Sequence, residues 1–551
     1  MRMSEAETSS QPRRDIGAII RVGQWLDKPV ALVLPLALAL LWKLLLLSEG
    51  AFPFNADEAV VALMARHILK GERPLFFYGQ AYMGSLDAYL VAAGFWAFGE
   101  HVLVLRLVQA LLYCGTIGAL YLALREVFRI PRLGWAAALL LALPTVNLTL
   151  YTTVSLGGYG EALLIGSLAL WLGLRMDRRG PSCSRWVLLG FLSGLGVWVF
   201  PLSLVFALPS LFLALASTLR RTSLLKTAFN ACIFLASALI GAIPWLVGWH
   251  QLGASAFREL LGSALAGVSA GPLLGQVAGR ILNLVLFTPT VVFGLRPPWS
   301  TQLLAPPLLP LVTAVDLGVL VFGLTQLRRR DEYRAARWTL FAVGVVLIAA
   351  FLATPFGSDP SGRYFLPLGL LLALTSAQFA LWLNAQRAHW GEIAVLLIVV
   401  FNVTSTLQAA LTNPPGITTQ FDREAQVDMR ELPALQQFLE QQGETRGYTN
   451  YWVAYPLAFL SQERLVFTAR LPYHLDLRYS VRDDRYAPYD TSVRSSPTVA
   501  YITIGNGPLD VLLRTRFDQM GLSFREKQIG DFDVFYQLSS PVAPEELGLG
   551  H

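Results

Sequence analysis

Apolar runs of roughly 20 residues recur along this chain, the length a helix needs to cross the ~30 Å hydrocarbon core of a bilayer at about 1.5 Å per residue. Short loops carrying arginine and lysine separate them. Such a chain must satisfy its backbone polar groups within each segment, because lipid offers them no partner. The runs lie near 30–48, 104–127, 133–150, 161–175, 186–200, 202–218, 228–249, 308–327, 338–354, 364–383 and 391–411, giving about eleven spans by length and loop charge. The expected fold is a polytopic α-helical membrane protein with a large first external loop and a small external α/β domain at its C-terminal end. Composition agrees: 54% of the 551 residues are hydrophobic and 15% are charged.

The basic loops set the orientation. Arg13 and Arg14, Arg125 to Arg132, Arg175 to Arg185, Arg220 to Lys226, RRRDEYRAAR from Arg328, and Arg387 alternate with loops poor in lysine and arginine, so the former are expected to face the cytoplasm. The net charge of +6 is thereby explained by topology, and nucleic acid is not an expected partner. Residues 1–28 read as a cytoplasmic tail and 29–411 as the membrane domain. The first run, Val30 to Leu47, is longer than a signal-peptide core and lacks a small-residue cleavage site, so it reads as a retained anchor. Cys114, Cys183 and Cys232 show no metal-ligand spacing, and no disulfide is expected.

Three regions then face outward: the loop 48–103, the stretch 250–307 and residues 412–551. Within the first loop, LDAYLVAAGFWAFG from Leu86 is short for a span and fits an interfacial helix. After Leu411, LPALQQFLEQQG and PLDVLLRTRFDQMG read as helices, while RLVFTA, TVAYITIG and the end of QIGDFDVFYQL read as strands.

The chemistry concentrates at the external boundary. PFNADEAVVALMARHILKGE, from Pro53, places Asp57 and Glu58 just beyond the first span. In one reading Asn55 and Glu58 form an N-x-x-E capping box and Asp57 only favours the helix dipole. In the other, Asp57 is a general base toward an acceptor or, with Glu58, holds a divalent cation against a phosphate. Arg66, His67 and Lys70 follow on the same helix, suited to a phosphate or equally to lipid headgroups. SLGGYGEALL surrounds Tyr159 with glycines before Glu161, which either favours its helix N-terminus or converges on Asp57. TPFGSDPSGRYFLPL ends in Arg363 and Tyr364; arginine suits bidentate phosphate binding and is here on the side where positive charge is sparse. Arg106 breaks the charge alternation in the same way. No His or Cys cluster argues for a dedicated metal site.

The DE pair followed by ALMARHILKGE, FFYGQAYMGSLDAYL and FGEHVLVLRLVQALL, and again GRYFLPL, resembles the GT-C superfamily of integral membrane glycosyltransferases, in its bacterial branch related to protein O-mannosyltransferases and lipid A aminoarabinose transferases. The resemblance implies inverting transfer of a sugar from a polyprenyl phosphate carrier to an external lipid, glycan or protein acceptor, at the plasma or inner membrane. It places the catalytic carboxylate on Asp57 with Glu58 beside it, matches Arg106 to the family's arginine at the start of the second span and Arg363 with Tyr364 to an arginine associated with the carrier phosphate, and puts Tyr159 and Glu161 where the second external loop closes on the site. The chain departs from the mannosyltransferase pattern, which has lysine and paired prolines where GQAYMGSLDAY stands. Gln80, Tyr82 and Asp87 occupy that region and either contact substrate or pack an interfacial helix. The rival from another class is a transporter or flippase of lipid-linked saccharides, whose charged residues should lie mid-span. A third is a structural membrane protein whose aromatic stretch YTNYWVAYPLAFL binds a partner.

Overall fold

A computed structural model describes residues 29–260, 272–412, 416–421 and 426–549; the basic N-terminal tail lies outside the described residues. Nine helices among them are long and apolar enough to cross a membrane, including Val30–Ser48, Val102–Phe128, Pro201–Arg221, Arg334–Ala353, Arg363–Gln386 and Trp390–Thr412.

The difference from about eleven expected runs has local causes. The run 133–150 is broken by Pro144 into Pro131–Ala142 and Val146–Tyr151, since proline cannot donate to a helix and clashes with the preceding turn. Cys183–Val199 has 17 residues, and Tyr159–Arg179 carries charge at both ends. Conversely, Leu273–Val292, in a stretch expected to lie outside, is apolar and long enough to span. Arg280 donates to the Leu352 carbonyl at 3.0 Å and Asn283 to the Gly357 carbonyl at 3.1 Å. Val291 abuts Gly362, so this helix runs alongside the 352–362 turn.

The first loop folds as helix Ala56–Leu69, a small antiparallel pair β1 (Phe76–Phe77) and β2 (Gln80–Gly84), and helix Leu86–Phe98. Residues 426–549 form the α/β unit, with strands β3 (Arg446–Thr449), β4 (Val466–Ala469), β5 (Ala500–Ile504), β6 (Arg525–Ile529) and β7 (Phe532–Tyr536) in the order β4-β3-β5-β7-β6. The β4-β3-β5 half is parallel and the β5-β7-β6 half antiparallel. Leu432–Gln442 ends at Gly443, whose φ of +74° closes the helix in the left-handed region that glycine enters without strain.

The aromatic stretch from Tyr451 is a buried helix, Tyr451–Leu460. Phe459 packs on Phe54 at 5.6 Å and Phe95 at 6.1 Å between ring centroids, seating the α/β unit on the first loop.

Candidate active site

Asn55 opens helix Ala56–Leu69 with an extended backbone, its side-chain oxygen accepting from the amides of Asp57 and Glu58 at 3.1 and 3.4 Å. That caps two of the donors a helix leaves unsatisfied at its start. The two acids then part. Glu58 is wholly buried and takes a forked pair of bonds from Arg106, Nε to Oε1 at 3.0 Å and Nη2 to Oε2 at 2.6 Å. Arg106 also donates to the Phe52 and Pro53 carbonyls, each at 3.2 Å. Most of its donors are spent inside the protein, so Arg106 ties the first loop to the second span, whereas the sequence reading set it at a phosphate.

Asp57 faces the other way. Its Oδ1 accepts from the Tyr451 hydroxyl at 2.7 Å and its Oδ2 from the Thr419 hydroxyl at 2.9 Å, and Thr419 in turn accepts from Asn55 Nδ2 at 2.9 Å. Burial and the neighbouring Asp57 charge both hold the Tyr451 hydroxyl well above its ordinary pKa, so it stays a donor. Because the partners of the two acids lie on different sides, Asp57 and Glu58 do not present a joint carboxylate pair to one cation. Among the described residues no three His, Cys, Asp or Glu side chains gather to hold a metal ion.

The guanidinium of Arg485 lies 5.2 Å from the Tyr451 ring centre. With its amide oriented to satisfy both neighbours, Gln80 accepts from Arg485 at 2.7 and 2.9 Å and donates to the Tyr82 hydroxyl at 3.2 Å. Beside Arg485, burial pushes the Asp483 carboxyl up to about 6, with Arg485 opposing and the Asp57 charge adding to the rise. Tyr82 is buried and lies within electrostatic reach of both Arg485 and Arg363.

Arg363 pairs with Asp359, sits 5.1 Å from the Tyr364 ring centre and 6.0 Å from that of Phe421, and its Nε has no partner among the described residues. Tyr364 is buried among Tyr159, Phe200 and Phe356. Tyr82, Tyr159, Phe200 and Phe356 complete the aromatic wall, with ring separations of 4.9 Å for Tyr159–Phe200, 5.7 Å for Tyr82–Phe356 and 4.9 Å for Phe356–Tyr364. One short segment joins both halves: Thr419 touches Asp57 and Phe421 touches Arg363. Two residues of extended chain span ~7 Å. Ile417 anchors that segment by donating to the Ala51 carbonyl at 2.8 Å.

The other expected residues go elsewhere. Lys70 donates to Glu463 Oε2 at 2.5 Å, His67 Nε2 meets Glu463 Oε1 at 2.8 Å, and Arg66 bonds Glu100 at 2.7 Å and the Phe459 carbonyl at 3.1 Å. The three side chains read as phosphate or headgroup ligands instead clasp the first loop to the α/β unit. Burial raises the Glu463 carboxyl, but the bonds from His67 and Lys70 outweigh it and hold the group at about 2. Asp87 accepts from Gln109 at 2.8 Å, Ser155 at 2.6 Å and the Gly157 amide at 3.1 Å, so it knits helix Leu86–Phe98 to helix Val102–Phe128 and to the turn before Tyr159. Glu161 is buried next to Asp87, so its convergence is on Asp87.

Thr419, Tyr451, Asp483 and Arg485 did not emerge from the sequence as site residues. Thr419 and Arg485 sit in stretches without motif, and Tyr451 was visible only as one aromatic among many. Lys43 was also missed; it donates within the first span to the Thr152 carbonyl and to the Thr152 and Thr153 hydroxyls at 2.7, 2.8 and 2.7 Å.

Residues 85–249 match the family model for dolichyl-phosphate-mannose-protein mannosyltransferase. Two crystal structures of ArnT from Cupriavidus metallidurans share the fold. The form bound to undecaprenyl phosphate superposes with a TM-score of 0.56 at 14% identity, covering 93% of this chain and 99% of that one. The apo form gives 0.57 at 13% identity, covering 91% and 97%. An oligosaccharyltransferase from Archaeoglobus fulgidus, in complex with Zn and sulfate, matches at 0.48 and 14% identity over 86% of this chain and 68% of that one. No curated protein matches in sequence. Residues 85–249 are thus similar to that mannosyltransferase family, and the chain shares the ArnT fold.

Proposed function

We propose that this protein moves a sugar from a polyprenyl phosphate carrier to an acceptor on the external face of the membrane, inverting the anomeric centre, with Asp57 as general base. The observation that carries this reading is the placement of Asp57 and Arg363 against one segment, Thr419 to Phe421, which puts a carboxylate and an incompletely partnered guanidinium at a common space. A mannosyltransferase family model and an ArnT structure bound to undecaprenyl phosphate support a lipid-linked donor.

In the reaction, the acceptor hydroxyl or amine attacks the anomeric carbon while Asp57 takes its proton. The bond from that carbon to the phosphate oxygen breaks, and its electron pair leaves with the polyprenyl phosphate. Arg363 stabilises the developing charge on that oxygen through the N–H groups not spent on Asp359. The Tyr451 and Thr419 bonds use one lone-pair direction on each Asp57 oxygen, and a carboxylate retains about two more for the incoming proton. Tyr82, Tyr159 and Tyr364 offer aromatic faces to the sugar, with hydroxyls for its polar edge. The sugar is a hexose or a pentose, and the acceptor a lipid, glycan or protein. The site faces the periplasm of an inner or plasma membrane, with the N-terminus cytoplasmic.

The test offers purified protein a panel of polyprenyl phosphate sugars with a cell-envelope extract and measures free polyprenyl phosphate, with Asp57→Asn alongside. Release by the native protein and its loss in the variant is the expected result. Labelled lipid crossing a reconstituted bilayer with no release would mean transport instead.

A further inference from the structure

At the membrane face opposite the proposed active site, a charged pocket of about 810 Å³ opens among Asp177, Arg178, Arg220, Arg221, Glu332 and Arg334. An apolar groove of about 750 Å³, lined by Leu208, Phe212, Leu219 and Val346, runs between helices Pro201–Arg221 and Arg334–Ala353. The two are continuous, since Arg220, Ala335 and Trp338 line both. Helix Tyr159–Arg179 carries Tyr159 at the active-site end and Asp177 at this pocket, about 27 Å apart at 1.5 Å per residue.

The charges in the pocket do not cancel. Glu332 is taken by Arg178 at 2.9 Å, Asp177 by Arg220 at 2.9 Å, and Asp331 by Arg337 at 2.7 Å. Among the described residues Arg221 reaches only the Asp177 backbone carbonyl, at 2.5 Å, and Arg334 is exposed with no ion pair. Two guanidinium charges therefore remain for an anion. The groove beneath is apolar from Arg220 back to Leu208, ~18 Å of helix and close to one leaflet of a ~30 Å core. Trp338 stands at the junction, 45% exposed, as indoles do at the headgroup level.

We propose that this pocket and groove bind one anionic diacyl phospholipid of the leaflet opposite Asp57, its phosphodiester between Arg221 and Arg334 and one acyl chain along Phe212 and Leu208. The head pocket supplies charge selectivity and the groove supplies the requirement for a tail. Neither depends on the transferase reading.

The test is native mass spectrometry of the full chain, delipidated and then titrated with phosphatidylglycerol or phosphatidylcholine, with glycerol phosphate as a tail-less competitor. One phosphatidylglycerol should be retained in preference to phosphatidylcholine. Arg221→Gln with Arg334→Gln should weaken its retention about 30-fold, each arginine near a lipid surface counting for about a factor of five, while Arg221→Lys with Arg334→Lys keeps it. Glycerol phosphate should not displace it. Equal retention of the two lipids, equal retention by the glutamine variant, or displacement by glycerol phosphate would each overturn the proposal. An unfolding temperature of the glutamine variant in detergent equal to that of the native protein shows that it is folded.

Discussion

Adjacent acids with separate tasks should separate under mutation. Glu58 is wholly buried and Arg106 has 9% of its side chain exposed, joined by bonds of 3.0 and 2.6 Å. Replacing Glu58 by Gln removes the charge but leaves Arg106 buried, and breaking a buried pair from one side costs about 3–5 kcal/mol. Removing both charges, as Glu58→Gln with Arg106→Gln, should recover part of that loss, because neither ion is then stranded. Asp57→Asn keeps the shape and is only half-buried, so its effect on stability should be small while transfer falls by about 10²- to 10⁴-fold, the contribution typical of a general base. The assay pairs thermal unfolding in detergent with carrier release. An Asp57→Asn protein that still turns over, or a Glu58→Gln protein of native stability that does not, would refute this division of labour.

Glu463→Gln should loosen the seat of the α/β unit, read as faster proteolytic release of that unit. Since the folded Glu463 is held at about 2, below the carboxylate's ordinary value of about 4.3, its stabilisation is present above that value and fades as pH falls toward 2; the variant should differ most from native at neutral pH. Asp483 shifts the other way: raised to about 6 when folded, it costs stability as pH rises from about 4. Asp483→Asn should thus be more heat-stable than native above pH 6 and indistinguishable near pH 3. Arg363→Ala should weaken donor binding by about tenfold or more, the loss of a charged hydrogen bond of roughly 1.5–3 kcal/mol, measured as a higher donor concentration for half-maximal release. Tyr451→Phe removes a bond of the same kind from Asp57 and should lower turnover, with donor affinity unchanged.

Much of the architecture was open to reading because it is local. Span lengths, basic loops, the short helix from Leu86 and, after residue 431, the helices Leu432–Gln442 and Gly507–Gln519 with strands β4, β5 and β7 each follow from composition within a few turns of chain, whereas β3, β6 and helix Tyr451–Leu460 did not emerge from it; the Asn55 cap follows from a single residue before the helix. Of the runs that departed, 133–150 is interrupted by Pro144, while 250–307 holds a helix, Leu273–Val292, that is apolar and long enough to span by its own composition.

The acids were legible as acids, but their roles were not. Nothing local distinguishes Asp57 from Glu58; Arg106, 48 residues away, claims one, and Thr419 and Tyr451, more than 360 residues away, hold the other. The same holds for Arg66, His67 and Lys70, which are plain in the sequence but whose partner, Glu463, reaches them only when the α/β unit docks. Sequence by itself determined which segments are apolar and long enough to cross a membrane, because hydropathy belongs to the segment's own residues. Only the tertiary structure decided which charge meets which, because a buried ion takes whatever partner the fold brings within hydrogen-bonding distance.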